Sequence, residues 1–413
     1  MVEAKPERVY VTEWALADAR AAARVRRLAA ALGHPDAPVV SAGELAAIVR
    51  ERRWREIEGR RTGEVRWEGD PDVVLNAFLW EKAEAARMQR EHPELAPYML
   101  GGAGPWGFRD AAASRTGQGC VCQPAWEVHS AWGCLHACAY CHVGNFVNVV
   151  CDLEALAEHL EDLIAENPWL RLFKYDNGTD TICFEPEYGA SAVMVDFFSR
   201  QPDRYLLLYT KSDNVEHLIS LEHGGHTLIN WSLSGRNAAR WIERGAPPLE
   251  ARLAAMRRCQ EAGYTARARI SPICPIENWR AEARELVEAL FAAAEPDLIT
   301  MDVLGWMNGR QMLAALDTSL FERRFREYAE QQARLPPPPH RKHFFPHAWR
   351  AEILRHYLGE IHRVSRKTPV SICMETLEMW AELGPELGMS PDDYVCCCGP
   401  TSVPGSPLLG PRQ

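Results

Sequence analysis

The sequence predicts an α/β fold: a partial (β/α) barrel, preceded by an N-terminal helical region and followed by a short cysteine-rich C-terminal segment. Three observations carry this. From about residue 125, short β-branched runs alternate with amphipathic stretches, the order expected of a parallel sheet with helices outside it. Before residue 115, apolar residues recur at a 3.6 period instead. Three consecutive cysteines stand near the end, at 396–398. The chain of 413 residues is 47% hydrophobic and 25% charged, enough to bury one large core or two ordinary ones. The expected units are 1–115, 116–335 and 336–413.

In the first unit, TEWALADARAAARVRRLAAAL has helical periodicity and stops before Gly33, with Pro35 beyond it. VVSAGELAAIVRERRWREI offers Ser41 as the cap of a second helix, and a third is expected over Asp72 to Arg90. GGAGPWGF and ASRTGQGC then break regularity and mark the boundary near 115. A short apolar run, Ala125 to Trp132, begins the alternation. A helix follows over DLEALAEHLEDLIAEN, and the strand candidates after it are RLFKYD, YLLLYTKS, HTLINWSLS, TARARISPI, DLITMDVLGW and PVSICME. Between them lie PLEARLAAMRRCQEAGY, with Pro248 early and Gly263 at its end, and NWRAEARELVEALFAAA. LPPPPHRKHFFPH reads as a surface crossing. In such a sheet, functional residues gather at the C-terminal strand ends.

The net charge of -10 gives no long-range attraction to nucleic acid. Thirteen cysteines are too few for a disulfide scaffold at this length. No apolar run reaches the roughly 20 residues of a membrane span, and MVEAKPERVYVTEW lacks the apolar core of a signal peptide. A cytoplasmic protein without a membrane partner is expected.

The sharpest motif is WGCLHACAYCHVGN, in which Cys134, Cys138 and Cys141 form a C-x3-C-x2-C triplet with Tyr140 before the last cysteine. Three thiolates in one short loop can hold three irons of a [4Fe–4S] cluster and leave the fourth open. An open iron can chelate the amino and carboxylate groups of S-adenosylmethionine and deliver an electron to its sulfonium. Zinc is the competing reading: it wants four ligands, and His136 or His142 could be the fourth. On that reading the chain is a non-catalytic zinc or iron–sulfur binding protein.

Beyond the triplet, LYTKSDNVEHLISLEHGGHTLINWSLSG and ERGAPPLEARLAAMRRCQEAGYTARARISPI resemble the spore photoproduct lyase family of radical S-adenosylmethionine enzymes, over roughly 120 to 300. SICMETLEMWAELG and CCCGP resemble the tail of many lyase-like proteins. The resemblance implies a partial barrel of the radical S-adenosylmethionine type and a lyase or transferase activity. It also implies an external one-electron reductant of the flavodoxin or ferredoxin type. It places the amino-acid end of the cofactor on Thr179, Lys211 and Ser232, and the adenine near Tyr140. The family uses a cysteine beside the second strand and a tyrosine after the third cluster cysteine to return a hydrogen atom to thymine. Here those positions are Asn177 and His142. These departures, with the acidic charge, argue against DNA repair and for another, small substrate.

Cys396, Cys397 and Cys398 precede Gly399-Pro400, which argues for a bent loop in which thiols can converge. With Cys373 they are candidates to handle the substrate, or to hold a second thiophilic metal or metalloid. A lyase-like enzyme of arsinothricin biosynthesis supplies one reaction of this kind, transfer of a 3-amino-3-carboxypropyl group from S-adenosylmethionine to arsenite. Cys120 and Cys122 form a further pair, whereas Cys151, Cys183, Cys259 and Cys274 read as small core residues. Glu185 and Glu187 read as ribose or amine contacts or as a solvated loop. Arg267 and Arg269 share one face of a strand, and Asp302 and Trp306 are candidates for the pocket wall. Neither the substrate, nor the C–S bond that breaks, nor the oligomeric state can be read from the sequence.

Overall fold

A computed structural model describes residues 1–65, 70–100, 106–337 and 342–410. Its thirteen strands form two sheets. The strands are β1 Val9–Thr12, β2 Val39–Val40, β3 Val73–Asn76, β4 Trp106–Arg109, β5 Ala125–Val128, β6 Ala131–Trp132, β7 Val147–Val150, β8 Leu172–Tyr175, β9 Tyr205–Thr210, β10 Thr227–Leu233, β11 Thr265–Ile273, β12 Ile299–Val303 and β13 Val370–Ile372. The larger sheet runs β13-β12-β11-β10-β9-β8-β5-β4. It is parallel throughout, save for the antiparallel β4–β5 pair. It curls into an open barrel whose edge strands do not pair. Val121 N donates to Glu375 O at 2.7 Å across the gap, next to a bridge between Cys120 and Thr376.

All six strand candidates after residue 170 form the wall of this barrel. Their β-branched and aromatic residues pack outward against amphipathic helices, among them Leu153–Glu166, Leu249–Glu261 and Trp279–Ala293. Helix Ala19–Ala31 and the Ser41 cap also form as expected, the latter as a full capping box with Glu44.

The N-terminal region differs from the helical expectation in one respect. It contributes β1, β2 and β3 as well as helices, and these continue through β7 and β6 as a second sheet, in the order β2-β1-β3-β7-β6. VYVT and VVLN are too short to show a period of two, and burial on both faces removes the alternation that marks a strand. The expected helix over Asp72 to Arg90 is therefore strand β3 followed by helix Lys82–Glu91. ASRTGQGC is not irregular either: Ala111–Gln118 is helical, closed by Gly119 at φ 66°. Both the second sheet and β4 run across the boundary expected near 115. In the proline-rich tract, residues 338–341 lie outside the described residues. Its far end does not stay on the surface, because Lys342 is buried and its Nζ donates to Asp302. Among the described residues no helix is long and apolar enough to cross a membrane.

Candidate active site

The cysteine-bearing loop connects β6 to β7, so both of its roots lie in the second sheet. Gly133, at φ 94°, turns the chain into it; a Cβ there would press on the Phe146 carbonyl oxygen. The N-terminal region clamps the loop from one side. Thr62 N and Oγ1 both donate to Cys141 O, at 2.6 and 2.9 Å, and Gly63 N donates to Ala139 O at 3.0 Å. On the other side, Ala139 N donates to Ile242 O at 2.8 Å, and Cys138 bridges Glu243.

Glu243 is fully buried and gathers several groups. It accepts from Tyr140 Oη at 2.6 Å and Ser234 Oγ at 2.9 Å, and it ion-pairs with Arg252 at 2.6 Å and Lys211 at 3.4 Å. Burial alone would raise its pKa, but Lys211 and Arg252, helped by the Tyr140 hydroxyl, hold the carboxyl down at about 2. A charged carboxylate thereby joins the cluster loop, the Lys211 loop and the helix that carries Arg252.

These contacts close a cavity of about 280 Å³ at the C-terminal ends of β8 to β11. Cys134, Cys138, Cys141, Tyr140, Thr179, Lys211 and Ser232 all line it, as does Asn177. The three sulfurs are too spread for one small ion. Among the described residues, the single trio of metal-binding atoms all within 4.8 Å of one another is His136, Asp180 and Cys183. His136 lines the same cavity, but both its ring nitrogens are engaged, Nδ1 with Gly245 O and Nε2 with Asp180. His142 lines a separate cavity with Tyr98, Trp132 and Phe146. The donor set of the triplet therefore fits a multi-iron cluster better than a tetrahedral zinc. Burial pushes all three thiols up, Cys138 to about 12, so any metal bound there would have to displace their protons. Thr179 Oγ1 is buried at the cavity wall without a partner, as expected of a hydroxyl that awaits a ligand.

Residues 122–305 match the family model of spore photoproduct lyase. Over that stretch the chain is similar to spore photoproduct lyase. The spore photoproduct lyases of Bacillus subtilis (strain 168) and Geobacillus sp. (strain Y412MC61) are 24% and 25% identical to it, over 175 and 167 residues. These matches cover 41% and 39% of this chain and 51% and 49% of the relatives, so the similarity spans about half of their length. Solved structures extend the likeness of fold. A spore photoproduct lyase mutant with bound AdoMet and dinucleoside spore photoproduct superposes with a TM-score of 0.59 at 16% identity, covering 89% of this chain and 98% of that one. Spore photoproduct lyase complexed with dinucleoside spore photoproduct gives 0.57 at the same identity and coverage.

Within the lyase-like core, the substrate side departs from a plain barrel interior. The three consecutive cysteines do not act as one group. Cys397 Sγ points at Ala268 O at 3.5 Å, and its amide donates to Thr300 Oγ1. Cys398 Sγ turns instead to Arg109 Nη2 at 3.0 Å. A hydrogen bond from Cys396 and, against its burial, the Arg109 guanidinium hold the Cys398 thiol well below its ordinary range. Cys373 accepts from Arg269 Nη2 at 3.3 Å. Burial pushes the Cys122 thiol up to about 12. Cys398 and Cys373 are thus each held by an arginine, and Arg269 also lines the cavity, with Tyr209 and Lys174. Arg267 shares that interior face, but it is committed to Asp297 and to Cys397 O. Asp302 is shared by Lys342, Arg269 and Ser271. The Asn177 amide, oriented to satisfy both partners, sits between Glu127 and Lys174, at 3.3 and 2.8 Å.

Other expectations resolve differently. Tyr140 lines the cavity, but its hydroxyl is committed to Glu243. Glu185 is neither solvated nor in the cavity; it is buried and accepts from Gly189 N and Ser191 N at the start of helix Ala190–Ser199. Glu187 pairs with the N-terminal amine. Cys151, Cys183, Cys259 and Cys274 are core residues, though Cys183 also touches His136 Nε2 at 3.3 Å. Sequence reasoning missed Glu243, Arg252, Asp180 and the 61–63 clamp. Only Glu243 and Arg252 carried a signal, as acid and base within one resembling segment.

Proposed function

We propose that this protein is a radical S-adenosylmethionine enzyme in which Cys134, Cys138 and Cys141 hold a [4Fe–4S] cluster, while Thr179, Lys211 and Ser232 hold the amino-acid end of the cofactor. The observation that carries this reading is that all six residues, drawn from four segments of the chain, line one cavity. When bound, the cluster and cofactor supply one electron to a sulfonium and so a carbon-centred radical. The residues of the chain do the rest. Lys211 offers an ammonium for a carboxylate, and Thr179 and Ser232 offer hydroxyls. Glu243 balances part of the Lys211 charge and fixes the loop. A flavodoxin- or ferredoxin-type protein is the expected electron source, and the cytoplasm the expected compartment.

For the substrate, Asn177 and the thiols favour something other than a thymine lesion. In this reading residues 116–335 carry the cofactor, and the segment from 336 brings Cys373, Cys396 and Cys398 to a small or thiophilic substrate. The arginine-held Cys398 is the observation that favours a second, narrower reading, 3-amino-3-carboxypropyl transfer to arsenite. An arginine-stabilised thiolate is the form that binds a soft acceptor.

Anaerobic reconstitution tests both. The enzyme reading expects iron, acid-labile sulfide and cofactor cleavage; one tight zinc without sulfide would replace it with the metal-binding reading. Methylthioadenosine and carbon-bound arsenic support the transfer. 5′-Deoxyadenosine alone removes it, and turnover of thymine-dimer DNA would overturn the departure from repair.

A further inference from the structure

We propose that Arg61 sets the reduction potential of the cluster in the cavity, so that the N-terminal region, which lies outside the 122–305 match, tunes the chemistry of the core. The inference rests on the reading of Cys134, Cys138 and Cys141 as cluster ligands. Arg61 follows helix Trp54–Ile57 and begins the clamp that continues through Thr62 and Gly63. It is 4% exposed. Its Nη1 reaches Tyr140 O and His142 Nδ1, both at 3.4 Å, and its Nε has no hydrogen-bond partner. Among the described residues no carboxylate oxygen lies within ion-pair distance of it. The other cations around the loop differ: Lys211 and Arg252 both pair with Glu243. Arg61 is thus a desolvated charge set against the two residues that flank Cys141, with Glu64 a second, weaker influence on it. Burial works against that charge, and Cys141 is the largest influence offsetting it.

Removing a guanidinium from water is costly unless something compensates. Here the compensation is electrostatic and lies in the loop itself. A cubane on three thiolates is anionic and gains one more negative charge on reduction. A fixed cation in a low-dielectric site therefore favours the reduced form. Arg61 contacts the residues on both sides of Cys141 and does not line the cavity. It can raise the potential without occupying the cavity.

The test is a potentiometric titration of the reconstituted protein without S-adenosylmethionine, followed by electron paramagnetic resonance. Arg61→Gln keeps a donor for Tyr140 O but removes the charge. Its reduced-to-oxidised ratio at any fixed potential should fall at least tenfold, a midpoint about 59 mV more negative for one electron. Arg61→Lys should stay within threefold of wild type. Thr62→Ala loosens the clamp without touching the charge and should leave the midpoint unchanged. An unshifted midpoint in Arg61→Gln with full iron loading overturns the proposal. So does a tenfold shift in Arg61→Lys, or a shift in Thr62→Ala matching that of Arg61→Gln. Should Arg61→Gln hold no cluster, the lysine and alanine variants still decide. Wild-type protein without sulfide would instead sink the cluster reading itself.

Discussion

Glu243→Gln is the most informative perturbation of the site. In the folded protein the Arg252 side chain is 0% exposed, with Glu243, Pro247 O and Ser232 O around it. The amide of glutamine leaves that guanidinium buried without a counter-charge. Removing one partner of a buried ion pair costs roughly 3–5 kcal/mol. At about 2 °C per kcal/mol for a large chain, Tm should drop roughly 6–10 °C. The Glu243 pKa is depressed to about 2 from an ordinary 4.5, which fixes the sign of the pH effect. The contribution is complete above about pH 4.5 and is lost only as pH falls through the folded value. The Tm gap between wild type and variant should therefore be flat from about pH 8 to 5 and close below that range. Differential scanning fluorimetry under nitrogen measures the gap, and iron per chain reports the loop. The double variant with Arg252→Met removes both charges and should lose at least ~1 kcal/mol less than the sum of the singles. A Tm within about 2 °C of wild type, with undiminished iron, would show that Glu243 does not organise the loop.

Three further outcomes are expected. Thr179→Val removes a hydroxyl without a partner in the free protein, so stability should hold while S-adenosylmethionine binding weakens by about fivefold, the worth of one hydrogen bond; equilibrium dialysis within twofold of wild type would exclude Thr179 from the cofactor site. Gly63→Ala places a methyl group against the Ala315 carbonyl oxygen and 2.9 Å from Ala139 Cβ. An overpacking cost of about 1–3 kcal/mol and a lower iron-to-protein ratio should follow, and full iron loading would show that the clamp yields freely. His217 is held down to about 4, by burial and then by the N-terminal amine, so the folded state resists its protonation. Wild type should lose stability relative to His217→Gln as pH falls from about 6.5 to 4; parallel Tm curves would contradict this.

The barrel was legible because the strands after residue 170 are bounded by turn residues and most are followed by helices such as Leu249–Glu261 and Trp279–Ala293, and the two signals reinforce each other. The residues that line the cavity were legible because their spacing is local: a triplet within eight positions, and TKS and WS at strand ends. What was not legible depends on distance along the chain. VYVT and VVLN become strands only because β7, far downstream, pairs with β3. Arg61 to Gly63 look like ordinary helix-end residues until the fold sets them against Cys141. The thiols divide between two directions because the chain turns at 396–399, where Gly399 N donates to Cys396 O, which three identical letters cannot show. Glu185 misled for a similar reason: its partners are the amides of a helix start, which carry no side-chain signature.

The placement of β7 has a consequence for how the molecule can be cut. Trimming to the matched stretch 122–305 would delete β1 to β3, and with them the neighbour of β7. The remaining β6–β7 ribbon would present buried Val147 and Val149 on a bare strand edge, an invitation to stick to other chains. The roots of the cysteine loop between β6 and β7 would lose their footing at the same time. What looks like an appendage to a known catalytic module is a foundation wall of it, so the smallest soluble fragment should have to begin near the first residue rather than where family likeness starts.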